Sequence, residues 1–329
     1  MKQVIHKYAP TAGDVHVNTP LSMISIAYLQ NASHFVADQV FPNIPVTKQS
    51  DRYYTYDRGE FNRDEMKKRA PGTESAGGSY TLDNTPTYYA DVYAFHKDIP
   101  DQVRNNSDAV LAPDREATEY VTHKALIKRE KLFAEKYFAT GIWTNNKDDA
   151  EWDEDTGSPI EDIRTGKRTV LESTGFEPNT LVLGKAVYDT LADSAEIIER
   201  VNAGQTPGNP AMGTINAMMA LFEIEKILVM KSISNTAKEG QDAVHSFIGG
   251  NNALLTYSAP SPGLMTPSAG YTFSWTGATG ASDSGGRIKR FRLELLESDR
   301  VEIQMSFDQK LVAPDLGYFF LDPANIPAP

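Results

Sequence analysis

An acidic segment in the middle of the chain comes nearest to metal chemistry. Its carboxylates are Asp148, Asp149, Glu151, Asp153, Glu154 and Asp155. Counted from Asp149, the first, third and fifth positions alternate as the oxygen ligands of a calcium loop do. Such a loop needs glycine at its sixth position and a bidentate carboxylate at its twelfth, where Glu154 and Ile160 stand. A solvated acidic loop is therefore the main interpretation, and an intersubunit contact or a calcium site are the alternatives.

Other catalytic motifs are incomplete. The histidines match no metal-ligand spacing such as His-Glu-x-x-His; they are His6, His16, His34, His96, His123 and His245. Gly184-Lys185 resembles part of a phosphate loop, but that motif needs glycine where Asn179 stands and a hydroxyl residue where Ala186 stands. Acidic residues are so abundant that no carboxylate pair for glycosidic chemistry stands out. The sequence therefore predicts no catalytic residue, no cofactor and no metal, and it indicates a protein that is not an enzyme.

Composition narrows the class of protein further. The chain has 329 residues, 40% of them hydrophobic, which is enough for a sizeable core. Its 32 Lys and Arg against 44 Asp and Glu give a net charge of −12, which repels nucleic acid in bulk. With no cysteine, disulfides and thiolate chemistry are excluded. No apolar run has the length of a signal peptide or a membrane span, so we expect a soluble protein that is not exported.

The stretch from Phe35 to Phe95 predicts a long two-stranded arm. Its two halves are rich in aromatic residues, and they flank a polar tip of about twenty-five residues, 58–84. The first part, Phe35–Gln49, is here called the strap, because its prolines keep it extended and suit a segment that lies across a neighbouring subunit. Two isolated strands are marginal in water. The arm therefore needs a partner surface, which predicts self-association.

The tip contains a basic cluster, Lys67, Lys68 and Arg69. Docking on an acidic surface of an adjacent subunit is the favoured interpretation, and a solvated, solubilising loop is the alternative. Nucleic-acid binding is the weakest hypothesis, because three charges without interleaved aromatic residues make a poor footprint. The tyrosines of the flanking strands are better explained as cross-strand pairs than as a platform for bases.

Beyond the arm, helical and strand patterns alternate. A helix is predicted from Pro113 to about Tyr137, with acidic residues in its first turn and a length of ~37 Å. A short helix is also predicted at Leu21–Leu29, after Pro20. A mixed α/β region follows, with predicted helices at 160–173, 186–202 and 214–222 and predicted strands at 180–183, 226–230 and 252–257. Terminal strands at 291–296, 301–313 and 318–321 are expected to return to the long helix.

This order of parts carries a resemblance to a known family. The phrases most typical of it are Val40-Phe41-Pro42-Asn43-Ile44-Pro45-Val46, Tyr53-Tyr54-Thr55-Tyr56-Asp57, Arg69-Ala70-Pro71-Gly72, Pro178-Asn179-Thr180-Leu181-Val182-Leu183-Gly184 and Ser306-Phe307-Asp308. No single phrase is diagnostic, and their order is the argument. Over nearly its whole length the chain resembles the major capsid proteins of tailed bacteriophages, which have the Hong Kong-type phage capsid fold.

The resemblance implies an α+β fold in five segments. These are an N-arm (1–50), an E-loop hairpin (51–98), a P-domain with a long spine helix and a β-sheet (99–158), a mixed α/β A-domain (159–290), and strands that return to the P-domain (291–329). The implied function is structural: copies form hexamers and pentamers that tile an icosahedral head shell. Lys67, Lys68 and Arg69, at the tip of the E-loop, become the expected intersubunit contact.

The resemblance also implies partners and a location. The chain itself is the main partner, with a separate scaffolding protein, a portal and, as a further candidate, a decoration protein. The separate scaffold is expected because the arm begins within about forty residues of Met1. DNA is enclosed without specific binding, no membrane is involved, and the expected location is the virion, assembled in the host cytoplasm. The alternatives are an encapsulin-like nanocompartment shell and, more remotely, a carbohydrate-active enzyme.

Overall fold

The computed structural model describes residues 29–107, 112–148, 150–153, 157–202, 214–263, 265–277 and 281–324. The helix predicted after Pro20 falls almost wholly outside these residues. The helices are α1 Ala37–Val40, α2 Arg58–Phe61, α3 Asp101–Asn105, α4 Pro113–Tyr137, α5 Pro159–Thr174, α6 Lys185–Asp193, α7 Ala195–Asn202 and α8 Ile215–Phe222. Single 3₁₀ turns lie at Ala32–His34, Glu294–Leu296 and Pro314–Leu316.

Within the described residues, the strands form two five-stranded sheets and three small ladders. In chain order they are β1 Asn43–Val46, β2 Ser50–Arg52, β3 Thr55–Tyr56, β4 Leu82–Asp83, β5 Thr87–Tyr89, β6 Asp91–Pro100, β7 Asn145–Lys147, β8 Thr180–Gly184, β9 Lys226–Met230, β10 Ile233–Asn235, β11 His245–Phe247, β12 Ala253–Thr256, β13 Gly270–Trp275, β14 Gly286–Leu293, β15 Ser298–Leu311 and β16 Gly317–Phe320. One large sheet runs β1-β13-β15-β14, with β6 on the other side of β15, and the second runs β7-β16-β12-β8-β9.

The long helix α4 confirms the helix predicted at this place. Pro113 stands in its first turn and Asp114 and Glu116 follow, so the N-terminal end has the residues that its dipole favours. Ala117, Val121 and Ala125 recur every four residues and are buried against β6 and β15. The helix therefore lies along the β6-β15-β14 ribbon, with the opposite side of the helix in solvent.

The second sheet forms the core of the α/β region. Its strand β8 is buried at all five residues, and it pairs antiparallel with β12 and parallel with β9. Helices α5 to α8 cover one face with large apolar side chains such as Ile163, Leu191 and Phe222. The helix predicted at 186–202 is confirmed in two pieces, because the chain is extended at Ser194 between α6 and α7.

The terminal strands divide between the two sheets. As expected, β15 returns to α4 and packs on it through Val301 and Ile303. Strand β16 pairs with β12 and β7 in the second sheet, and its Phe319 packs at the C-terminal end of α4, in one cluster with Phe133 and Phe138. Its Phe319 and Phe320 point to opposite faces and both are buried, so this strand needs cover on two sides, which one helix does not supply. Conversely, β13 and the start of β14, from the segment assigned to the α/β domain, join the sheet beside α4. The segment boundaries stay a prediction.

Candidate functional site

The arm consists of two short ladders in series. Strand β2 pairs with β5, and β3 pairs with β4 beyond it. The root of the arm is fastened to β13, because Tyr88 stacks on Phe273 with ring centroids 4.6 Å apart and Tyr53 stacks on the same ring at 5.5 Å. Arg58 makes an ion pair with Asp315 at 2.9 Å. The two-stranded arm is confirmed for residues 50–89, with a packed root. It is shorter than the predicted Phe35–Phe95, because β1 pairs with β13 and β6 pairs with β15 in the main sheet.

Beyond the root, no other described part of the chain covers the arm. Every residue from Phe61 to Thr85 is exposed, and Met66 is 94% exposed. The only aromatic cluster there is local: the rings of Tyr56, Phe61 and Tyr80 lie within 6 Å of one another. An arm of this length with so little burial gains almost no stability from its own chain. Among the described residues, this segment is therefore open to contact with another molecule.

The structure places Lys67, Lys68 and Arg69 in this exposed tip, along an open groove that also contains Glu65 and Glu74. The tip as a whole has five basic and five acidic residues, so it is not a net positive surface. The acidic ones are Glu60, Asp64, Glu65, Glu74 and Asp83. Docking of the three basic side chains on a neighbour would therefore be a local charge match, and the assignment of these three residues to an intersubunit contact stays a prediction.

The prediction for the strap is wrong. It was expected to lie across a neighbouring subunit, but it packs into its own. Val40 and Phe41 are fully buried, and the Phe41 ring meets Phe133 of α4 edge-on at 5.2 Å. Strand β1 then pairs in parallel with β13 at the edge of the first sheet, where Pro45 is tolerated. Gly270 makes the close approach possible, because a Cβ atom there would lie 2.5 Å from Cζ of Phe41.

A buried carboxylate holds the strap to the long helix. Glu130 is 1% exposed, and its oxygens accept hydrogen bonds from the backbone N–H groups of Val36 at 3.0 Å and of Ala37 at 2.9 Å. Burial raises the pKa of Glu130 to about 7, although these backbone hydrogen bonds act in the opposite direction. Beside it, Arg129 makes an ion pair with Asp38 at 2.8 Å. Burial also raises the pKa of Asp38, and Arg129 opposes that rise.

Sequence reasoning missed these two polar residues, although the helix contains a signal. Arg129 falls on the same four-residue spacing as the buried Ala117, Val121 and Ala125, where an apolar side chain is expected. A charged residue on the buried stripe of a helix indicates a partner of opposite charge or a polar contact. The partners of Arg129 and Glu130 lie about ninety residues away along the chain, so the sequence pattern of the helix does not identify them.

Charged side chains also fasten the end of the long ribbon. Arg104 of α3 and Arg290 of β14 both reach Asp299 of β15, at 2.6 and 2.9 Å. Arg104 pairs in addition with Asp114 in the first turn of α4 at 2.9 Å. Hydrogen bonds from Arg290 and Arg104 lower the pKa of Asp299 to about 2. Four elements are thus joined at one corner by a network, which is stiffer than isolated surface pairs.

The metal hypothesis gains no support within the described parts of the chain, where no group of three His, Asp or Glu side chains could hold an ion. Asp149, Glu154 and Asp155 lie outside those parts. Ala150 and Trp152, between the carboxylates, are buried in the α/β core, so the segment is only partly the solvated loop that was predicted. Among the helices that the structure describes, none has the length and apolar character needed to cross a bilayer.

Comparison with known proteins points to one family. The model of a family described as "Phage major capsid protein E" matches residues 144–272. The major capsid protein of Pseudomonas phage JBD67 is 27% identical over 313 residues, which cover 92% of this chain and 96% of that protein. The major capsid protein of Burkholderia phage BcepMu is 22% identical, covering 92% of this chain and 95% of that protein.

Solved structures agree on the fold. A phage-related protein from Bordetella bronchiseptica RB50 matches with a TM-score of 0.68 at 21% identity, covering 94% of this chain and 98% of that one. The capsid of cyanophage P-SCSP1u matches with a TM-score of 0.59 at 9% identity, covering 96% and 99%. An encapsulin complex from Synechococcus elongatus matches with a TM-score of 0.54 at 11% identity, covering 94% and 97%. The predicted α+β phage capsid fold is therefore confirmed.

Proposed function

We propose that this chain, a phage major capsid protein, assembles with further copies of itself into the hexamers and pentamers of an icosahedral head shell around phage DNA. The observation that carries the proposal is the arm, which is fastened at its root and uncovered from Phe61 to Thr85. A segment like this becomes stable when a second subunit covers it. A closed shell supplies such a neighbour to every copy.

The rest of the molecule suits the same role. The arm's root, the strap and the end of the ribbon are each fixed by stacking, buried hydrogen bonds or ion-pair networks. A rigid body with one projecting segment repeats the same contact geometry in every copy, which closed symmetric assemblies require. The net charge of −12 prevents the bulk of the subunit from gripping the DNA that the shell contains.

The proposal includes further partners and a place of assembly. A separate scaffolding protein would guide closure, a portal would occupy one vertex, and a decoration protein is a further candidate partner. The DNA is enclosed without sequence-specific binding. As a capsid protein the chain is a component of the virion, and we propose that the shell assembles in the host cytoplasm.

The second candidate function is an encapsulin-like nanocompartment shell. It is favoured by one observation, the fold shared with the encapsulin from Synechococcus elongatus. Both curated relatives, which match over more than nine tenths of their length, are phage major capsid proteins. The phage shell is therefore the first proposal. The contents of the particles separate the two candidates, since one encloses a genome and the other a protein cargo.

Negative-stain electron microscopy of the full-length chain, expressed alone and together with candidate scaffolding proteins, tests the proposal. Uniform closed shells are the expected result. Particles from infected cells should then contain DNA protected from nuclease. A chain that stays monomeric at all protein and salt concentrations, with and without scaffold, would overturn the shell function. Shells that contain protein cargo and no DNA would favour the nanocompartment.

A further inference from the structure

Three lysines and three aromatic rings meet along the flank of α4 that borders strand β6. Tyr120, Lys124 and Lys128 follow one another at four-residue spacing and so lie on one side of the helix. The second row, on β6, consists of Tyr93, Phe95 and Lys97, which alternate along the strand and share one face. We call these six residues the basic-aromatic face.

Ring contacts show that the two rows touch. The rings of Phe95 and Tyr120 lie 5.8 Å apart. The ammonium groups of Lys97 and Lys124 lie 5.5 and 5.4 Å from the centre of the Tyr120 ring. Lys128 has its ammonium 5.4 Å from the centre of the Tyr93 ring. Lysines from two separate elements are therefore held together around aromatic rings.

These lysines keep their charge available. A carboxylate partner would neutralise an ammonium group, whereas an aromatic ring orients it through its quadrupole and leaves the net charge unchanged. Among the described residues, no carboxylate forms an ion pair with Lys97, Lys124 or Lys128, although Arg115 and Lys131 on the same helix pair with glutamates. A carboxylate, Asp91, borders the face at one end, where it is hydrogen-bonded to Tyr93.

The neighbouring strand edge adds further donors. Within the described parts of the chain, β6 pairs only with β15, so its outer edge presents unpaired backbone groups beside the lysines. Phosphate oxygens accept hydrogen bonds from lysines and from backbone N–H groups alike. Protein surfaces that bind nucleic acid commonly combine partly exposed aromatic rings with basic side chains. The basic-aromatic face has this arrangement, and the Lys67, Lys68 and Arg69 cluster lacks it.

We infer that the basic-aromatic face is a sequence-independent contact for the nucleic-acid backbone, and that each subunit touches the enclosed DNA there. The inference rests on the proposed shell function, which brings a polyanion to the protein. In a chain of net charge −12, a contact confined to three lysines is weak in one copy. Repeated over all subunits of a shell, many weak contacts would position the outer layer of DNA, while no single contact binds it tightly.

The test measures binding of the full-length chain to a random-sequence duplex by fluorescence anisotropy, at several salt concentrations. The variant K97Q/K124Q/K128Q removes three charges and keeps the aliphatic stems over the rings. The matched control, K136Q/K231Q/K238Q, removes the same charge at exposed positions outside the face. A third variant, K97R/K124R/K128R, keeps both the charge and the ring contacts.

We expect the face variant to lose on the order of tenfold in affinity at low salt, and the slope of log K against log salt to fall by about three, one unit for each phosphate contact. The control should lose much less, and the arginine variant should bind like the wild type. Equal losses in the face and control variants would overturn the inference, because net charge alone would explain them. Unchanged binding by the face variant, or no salt-dependent binding by the wild type, would do the same.

Two further readouts separate this inference from its competitors. In one series, a polyglutamate peptide replaces the duplex. If the face variant loses peptide binding while its DNA binding is unchanged, the face binds an acidic protein partner, and the inference is overturned. Shells are counted by negative stain in the same preparations. The face variant should form normal shells, and failure to do so would make the face a subunit contact instead. A wild type that forms no shells would overturn the shell function, independently of the DNA result.

Discussion

The strap and the tip of the arm are both extended, irregular segments, yet they differ in what covers them. The strap buries Phe41 and places its backbone donors on Glu130, whereas the tip exposes every residue from Phe61 onward. Burial of one large aromatic side chain is worth several times as much as any exposed ion pair. The strap therefore belongs to the fold of the single subunit, and the tip is the segment that we propose for contact with a neighbouring subunit.

Removal of the tip gives the largest expected effect on function with little effect on folding. Deletion of Asn62–Thr81 joins Phe61 at the end of α2 directly to Leu82 at the start of β4 and leaves the stacked root in place. We expect the purified variant to unfold at nearly the wild-type temperature and to form no stable shells, because the uncovered segment is the proposed intersubunit contact. Calorimetry and negative-stain microscopy measure the two properties. Normal shells from this deletion would contradict the comparison.

Matched phenylalanine substitutions measure the difference between strap and tip directly. Phe41→Ala empties a fully buried site between α4 and β13 and should lower the free energy of unfolding by about 3 to 5 kcal/mol. Phe61→Ala removes a ring that is 50% exposed and should cost less than about 1 kcal/mol. Urea unfolding of the two variants provides the measurement. Similar losses at both positions would mean that the tip is packed in the free subunit.

The carboxylate that holds the strap should make stability depend on pH. The pKa of Glu130 is about 7 in the folded chain against 4.5 for an ordinary glutamate, so the folded state binds its proton more tightly. The stability that Glu130 contributes to the folded state is fully present below about pH 4.5 and is lost as pH rises towards 7. Between pH 5 and pH 8 the free energy of unfolding should fall by about 1 to 3 kcal/mol more in the wild type than in Glu130→Gln.

Comparison with Glu130→Gln isolates this one group. His123, whose pKa is lowered first by burial and then by Lys124, titrates in both proteins and cancels in the difference. The charge of Asp38 itself raises the pKa of Glu130, so its effect is part of the difference that is measured. Urea unfolding at the two pH values supplies the four free energies. An identical pH dependence in the two proteins would show that Glu130 stays ionised across this range.

The smallest expected effect concerns the basic cluster of the tip. Reversal of Lys67, Lys68 and Arg69 to glutamate should leave the fold unchanged and raise the concentration of scaffold needed for assembly. Exposed pairs contribute about 0 to 1 kcal/mol each and are screened by salt, but every subunit of a shell repeats them. Light scattering during assembly measures the shift, with reversal of Lys136, Lys231 and Lys238 as the control. An assembly curve that matches the control would assign the cluster to solubility.

Local pattern was enough to predict several elements of this protein. Pro113, the acidic first turn and the four-residue stripe predict α4 over almost its observed length, because capping and periodicity act within one helix. The strand predicted at 180–183 is likewise confirmed as β8, which extends to Gly184 and is buried at every residue. The order of such elements was sufficient for the resemblance to phage capsid proteins.

Tertiary structure decided where those elements meet. An apolar stripe states that one side of an element is covered, but not by what, and the contacts that answer this join residues far apart in sequence. Glu130 contacts Val36 from about ninety residues away, and β16 pairs with β12 in the second sheet while its Phe319 packs on Phe138 at the end of the long helix. From its sequence the strap is predicted to lie on a neighbouring subunit. In the structure the ring of Phe41 packs against Gly270 of its own subunit. Periodicity determined the faces, and only three-dimensional packing determined their partners.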